Sequence, residues 1–107
     1  MKPDQVASLI SCLESARKRP AMYFGKVDVL AAVQFLNGFQ FAIGAAFGFD
    51  RERRLREQVV KARGWRWFAA LHPYEEMIRR GMPPERVIDE LLVIEIEVLR
   101  GQAERAT

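Results

Sequence analysis

The side chains in this sequence that could do chemistry each lack a needed companion. Cys12 is the single thiol, and a thiol nucleophile needs a base and a third group to orient that base. His72 could approach it in space, but nothing in the sequence supplies the orienting group. His72 with Glu75 and Glu76 has the outline of a metal set, because imidazole and carboxylates at short helical spacing can share an ion. With one nitrogen ligand in the whole chain, Pro73 disturbing the local geometry and no His-Glu-x-x-His pattern, a locally hydrogen-bonded histidine is expected instead. Glu95 lies in the middle of an apolar face. A carboxylate there must find an Arg, Tyr, Trp or amide partner, or take up a proton. The expectation is an internal hydrogen bond, set against a catalytic acid and a contact to a partner's basic residue. No glycine-rich phosphate cradle, nucleophile elbow or dinucleotide fingerprint occurs. The reading is therefore not an enzyme, with no metal and no cofactor.

The elements that must position these residues read as helices. Val6, Leu9, Ile10 and Leu13 recur at helical intervals, giving a first helix over about 5–18, with Asp4 available to its first amides. Pro20 ends it, and 20–25 reads as an irregular connector in which Met22 and Phe24 plug the core and Gly25 takes a positive φ. Residues 29–49 carry no formal charge, and Asp28 is the expected N-cap. The stretch is long enough to cross a bilayer. It nevertheless has two sides, with Val29, Ala32, Phe35, Leu36, Phe39, Ile43, Ala46 and Phe47 on one and Gln34, Asn37, Gln40, Gly44 and Gly48 on the other. That pattern, with basic residues at both ends, fits a packed helix and no membrane span.

A third helix is expected from Asp50 to Arg63, with Leu55, Val59 and Ala62 inward and Glu52–Arg56 and Glu57–Lys61 spaced for pairing. Gly64 closes it. After an apolar segment at 65–71 comes a short helix with Met77 and Ile78. Pro83 and Pro84 open the last helix, where Ile94-Glu95-Ile96-Glu97-Val98 also has the alternation of a strand. The proline start and the absence of a partner strand favour helix. The fold class predicted is all-α: one helical domain over 1–107, a bundle of four to five helices.

The chain has 17 Lys+Arg against 14 Asp+Glu and a net charge of +3, placed unevenly. Segments 1–26 and 51–66 carry +3 and +5, whereas 27–50 and 67–107 carry −2 and −3. Arg53, Arg54 and Arg56 are the first candidates for contact with an acidic protein surface. Tyr23 and the Gln34, Asn37 and Gln40 face come second. The alternative is nucleic-acid binding by 51–66, with Trp65 or Trp67 stacking on a base. A homodimer is open too, since an apolar face can be a contact between copies. One unpaired cysteine and an N-terminus without a secretory pattern suggest a reducing, cytoplasmic setting, with Cys12 a small buried hydrophobe.

The run Glu14-Ser15-Ala16-Arg17-Lys18-Arg19-Pro20-Ala21-Met22-Tyr23-Phe24-Gly25 resembles a segment near the start of the ATPase subunit of bacterial type II topoisomerases. In that family the next helix carries a Glu that activates water and an Asn that holds magnesium. Here Gln34 stands near the Glu position, and no Asp-x-Gly-x-Gly follows. An amide cannot act as the base, so the resemblance implies no ATPase activity. The chain is more similar to short bacterial proteins with an Arg-Pro-x-Met-Tyr-x-Gly turn, a Phe-Leu-x-Gly-Phe/Tyr helix and a later Gly-Trp. Arg19–Gly25, Phe35–Phe39 and Gly64-Trp65 carry that likeness. It implies a small helical protein with an immunity or defence-accessory role.

Overall fold

The computed structural model describes residues 1–25, 27–66 and 73–106, with side chains through Gln102. Trp67, His72 and most of the apolar 65–71 segment lie outside the described residues. Among those described there are six helices and no strand.

Helix α1 (Pro3–Lys18) opens on Pro3, where a missing N–H is harmless, and has Asp4 in its first turn and Arg17 and Lys18 in its last, each suited to the helix dipole. Its N-cap is Lys2, one turn before the expected start, and the Lys2 N–H donates to Gln5 Oε1 at 2.9 Å. The expected irregular connector is a five-residue helix, α2 (Pro20–Phe24), started by Pro20 and stopped by Gly25 at φ 75°. This is why the helices number six instead of four to five. Phe24 is buried as expected, but Met22 faces solvent.

Asp28 caps α3 (Val29–Phe47), accepting from the Leu30 N–H at 2.9 Å. Gly48, at φ 106°, turns the chain directly into α4 (Phe49–Ala62), so Gly48 is the cap and Asp50 lies in the first turn. Helices α5 (Tyr74–Arg79) and α6 (Pro84–Ala106) complete the chain. Met77 anchors α5 in the core, while Ile78 stays outside.

Helix α6 is the axis of the molecule. It packs most extensively on α1 and α4, and also on α3 and α5. Ile94, Glu95 and Ile96 are consecutive and all buried, which a helix achieves only when neighbours cover it on several sides. The strand-like alternation at 94–98 is thus a central helix, with Glu95 covered as fully as the isoleucines beside it. One hydrophobic cluster draws on all six helices, through residues such as Leu13, Phe24, Leu36, Val60, Met77 and Leu92.

The inward side of α3 is rotated from the side its apolar residues indicated. Val33 and Gly44 are buried with Val29, Ala32, Leu36 and Ile43, whereas Phe35, Ala46 and Phe47 are exposed. The cause is local packing: the Phe49 ring folds back across Gly44, where any Cβ would collide with it. Gln40 is also turned partly inward by a hydrogen bond to Glu95.

Candidate functional site

Charged side chains on α4 divide into those used inside the molecule and those presented outward. Arg56 is used inside. Its Nη2 donates to Glu52 Oε1 at 2.7 Å and to Glu95 Oε2 at 2.5 Å, its Nε donates to Glu95 Oε1 at 3.2 Å, and Gln40 Nε2 reaches that same oxygen at 2.8 Å. The Arg56 side chain is only 13% exposed and both carboxylates are almost wholly covered. Burial pulls the guanidinium pKa down, but the charge and hydrogen bonds of Glu95, then those of Glu52, more than reverse this and leave it above its ordinary value. Burial pushes the Glu52 carboxyl up, against the pull of Arg56, and the Glu95 charge adds to the rise. A cation answering two carboxylates, with none aimed into open space, is a structural tie between α3, α4 and α6. Arg56 is therefore removed from the candidates for partner contact. Gln40 goes with it, as its amide is committed to Glu95.

A second tie lies toward the C-terminus of α4. Arg63 donates to both Glu90 oxygens and to Glu97, while the Trp65 Nε1–H donates to Glu90 Oε2 at 2.8 Å. Hydrogen bonds from Arg63, and secondarily from Trp65, hold the Glu90 carboxyl below its usual range despite partial burial. The Glu90 hydrogen bond in turn raises Arg63. The Arg80 guanidinium lies over the Trp65 ring at 4.8 Å, so that ring face is already covered.

The basic segment 51–66 offers less to a phosphate backbone than its charge suggests. Arg51 donates to the Gln102 carbonyl at 3.5 Å, and Lys61 pairs with Glu57 at 3.0 Å, as the spacing predicted. With Arg56 and Arg63 also engaged, Arg53, Arg54 and Arg66 are the cations of this segment that stay exposed without a described ion pair. They point in different directions around the chain and form no continuous stripe. Cys12, on α1, is exposed, not buried. Among the described residues no group of three His, Cys, Asp or Glu could hold a metal ion.

Among the described residues, the outward side of α3 and the start of α4 carry most of the exposed large apolar side chains. Leu30 (58% exposed), Phe41 (69%) and Phe49 (52%) stand in solvent, and the Phe41 and Phe49 rings meet at a centroid distance of 6.0 Å. Gln34 and Asn37 are exposed on the same helix, two turns and one turn before Phe41 respectively. Asn37 makes an interaction with the rest of the chain. Arg53 follows Phe49 by one turn on α4 and so borders the patch. Tyr23 is exposed on α2. Among the described residues α3 is the one helix long and apolar enough to cross a membrane, and only 28% of that window is buried. Sequence reasoning missed Leu30, Phe41 and Phe49 as surface residues. Their signal was present in a stretch without charge whose apolar residues run almost all the way round.

Comparison with protein-family models, with curated proteins and with solved structures finds no match to this chain.

Proposed function

We propose that this is a non-catalytic small protein that works by binding protein, through the outward side of α3 and the first turns of α4. The observation that carries this is the solvent-exposed Phe41–Phe49 pair bordered by Arg53, side-chain types enriched in protein interfaces over the rest of the surface. Gln34 and Asn37 supply polar contacts beside it, and Arg54, on the outer side of α4, offers a cation to a carboxylate across the contact. The grouping of Arg56, Glu52, Glu95 and Gln40 supports a non-enzymatic reading, because these polar groups satisfy one another. An exposed thiol at Cys12 favours a reducing compartment, hence the cytoplasm. The likeness to short bacterial proteins adds an immunity or defence-accessory role to the proposal. Nucleic-acid binding by 51–66 has weaker support, since Arg51, Arg56, Lys61 and Arg63 are engaged by acceptors within the chain.

The test is a photo-crosslinking residue placed at Phe41, at Arg54 and, as a control on another surface, at Glu85, in cells expressing the full chain. Protein adducts from 41 and 54 but not from 85 are expected. Adducts of equal yield from all three sites, or no protein adduct from 41, would overturn the reading.

A further inference from the structure

We infer that the occupant of the outward side of α3 is the same side of α3 in a second copy of this chain, the two helices crossing nearly antiparallel at Gly38. The inference rests on reading that side as a protein-binding surface, and names what binds it.

Gly38 is the pointer. Glycine in mid-helix costs stability relative to alanine, so it asks for a reason. Two other helical glycines have theirs within the chain: a Cβ at Gly44 would meet the Phe49 ring, and one at Gly101 would meet Leu55 Cδ2 at 3.2 Å. At Gly38 an added Cβ would meet nothing within 4 Å. Nothing inside the protomer needs the space, and it lies on the exposed side of α3, between Gln34 and Ala42. A close approach by another backbone is what a missing side chain at such a place permits.

The flanking residues suit a copy of themselves. With a two-fold axis at Gly38, residues equally far before and after it face one another across an antiparallel pair. Leu30 then opposes the partner's Ala46, Gln34 opposes the partner's Ala42, and Phe35 opposes the partner's Phe41. Large meets small at two of these levels and ring meets ring at the third. The absence of any formal charge from 29 to 49 removes like-charge repulsion at the contact, which matters for two molecules each carrying +3.

The area is sufficient. Leu30, Phe35, Phe41 and Phe49 together expose on the order of 400 Å² of apolar surface, within the range of patches that are functional on monomers. A standard interface buries about 800 Å² per partner, somewhat over half of it apolar. A bilayer is the less suitable occupant. Passing α3 into lipid would pull Ala32, Leu36 and Ile43 out of the core and break the Gln40–Glu95 hydrogen bond.

The experiment uses the purified full chain with Cys12→Ser, to which Gly38→Cys is added. Mild oxidation is expected to give a covalent dimer from position 38, while Glu85→Cys in the same background gives no covalent dimer. Sedimentation is expected to show a reversible dimer without any cysteine. Gly38→Leu should weaken it by about tenfold or more through steric separation of the helices, with the circular dichroism unchanged. A monomer with no cross-link at 38 overturns the inference. If that monomer still gives Phe41 adducts with a different protein, the binding surface stands and only its occupant was misassigned. If it instead binds vesicles of phosphatidylcholine and phosphatidylglycerol and gives no protein adduct, the protein-binding reading falls with it.

Discussion

Arg54 and Arg56 lie two residues apart on α4, about 200° around the helix, and have opposite fates. Arg56 closes a nearly dry cluster with Glu52, Glu95 and Gln40, while Arg54 stands in water. Gly44 and Gly38 repeat the contrast on α3, the first filled by Phe49 and the second facing open space. In both pairs residue type is the same and orientation alone separates a structural role from a surface one. A segment's net charge therefore overstates what it offers a partner, because the inward half is spent on the fold.

The contrast is broken or sharpened most strongly at Arg56. Arg56→Ala strands two buried carboxylates and should cost about 3–5 kcal/mol in denaturant unfolding. The same substitution with Glu52→Gln and Glu95→Gln should cost much less, since the stranded charges are gone. A loss under about 1 kcal/mol for the single variant would show the cluster to be a surface feature after all.

Next in size is the glycine pair. Gly44→Ala drives a methyl into the Phe49 ring and should destabilise by about 1–3 kcal/mol, with part of that loss recovered by Phe49→Ala. Gly38→Ala, measured at concentrations where the chain is monomeric, should stabilise by up to about 1 kcal/mol. Equal effects at the two positions would erase the distinction between them.

The carboxylates give opposite pH signatures. Glu52 has a raised pKa, so its ionisation opposes folding, and this opposition is present above the raised value and gone below the ordinary one near 4.5. The stability gained by Glu52→Gln should consequently be largest at neutral pH and shrink as pH falls toward 4.5. Glu90 has a lowered pKa, so its contribution is present above about 4.5 and disappears as pH falls through the lowered value. Glu90→Gln should thus cost stability at neutral pH and converge with the unaltered protein in acid. Unfolding midpoints followed from pH 7 to 3 distinguish the two, and parallel curves would refute both.

The smallest expected effect is the most telling for binding. Arg53→Glu with Arg54→Glu should change stability by no more than about 0.5 kcal/mol each, while weakening association by removing cations that pair with carboxylates across the contact. A large loss of stability would move these side chains into the fold alongside Arg56.

Much of this was legible in the sequence. Asp28 announced its cap, Pro83 and Pro84 the start of the last helix, and the Glu57–Lys61 spacing its ion pair. Glu95 announced that it needed a partner, and two of the four kinds expected, an arginine and an amide, are the ones it has. What stayed hidden was rotation. A helix apolar nearly all round gives no preferred direction, so the inward side of α3 was decided by a ring over Gly44 and an amide at Gln40 that no periodicity encodes. The same ambiguity placed Phe35 and Phe47 inside, whereas Arg56 was grouped with its exposed neighbours by its charge although its spacing from Glu52 already pointed to an ion pair.

The axial position of α6 also bears on how the protein is made. The ribosome emits α1 through α5 first, and the segment against which α1 and α4 lie arrives after all of them. Until then the greasy length of α3 has α2 and α4 beside it but lacks the cover that α6 supplies. Helices form in well under a millisecond, but this assembly waits on translation of α6. A nascent chain paused before α6 is accordingly the species for which a chaperone would matter most.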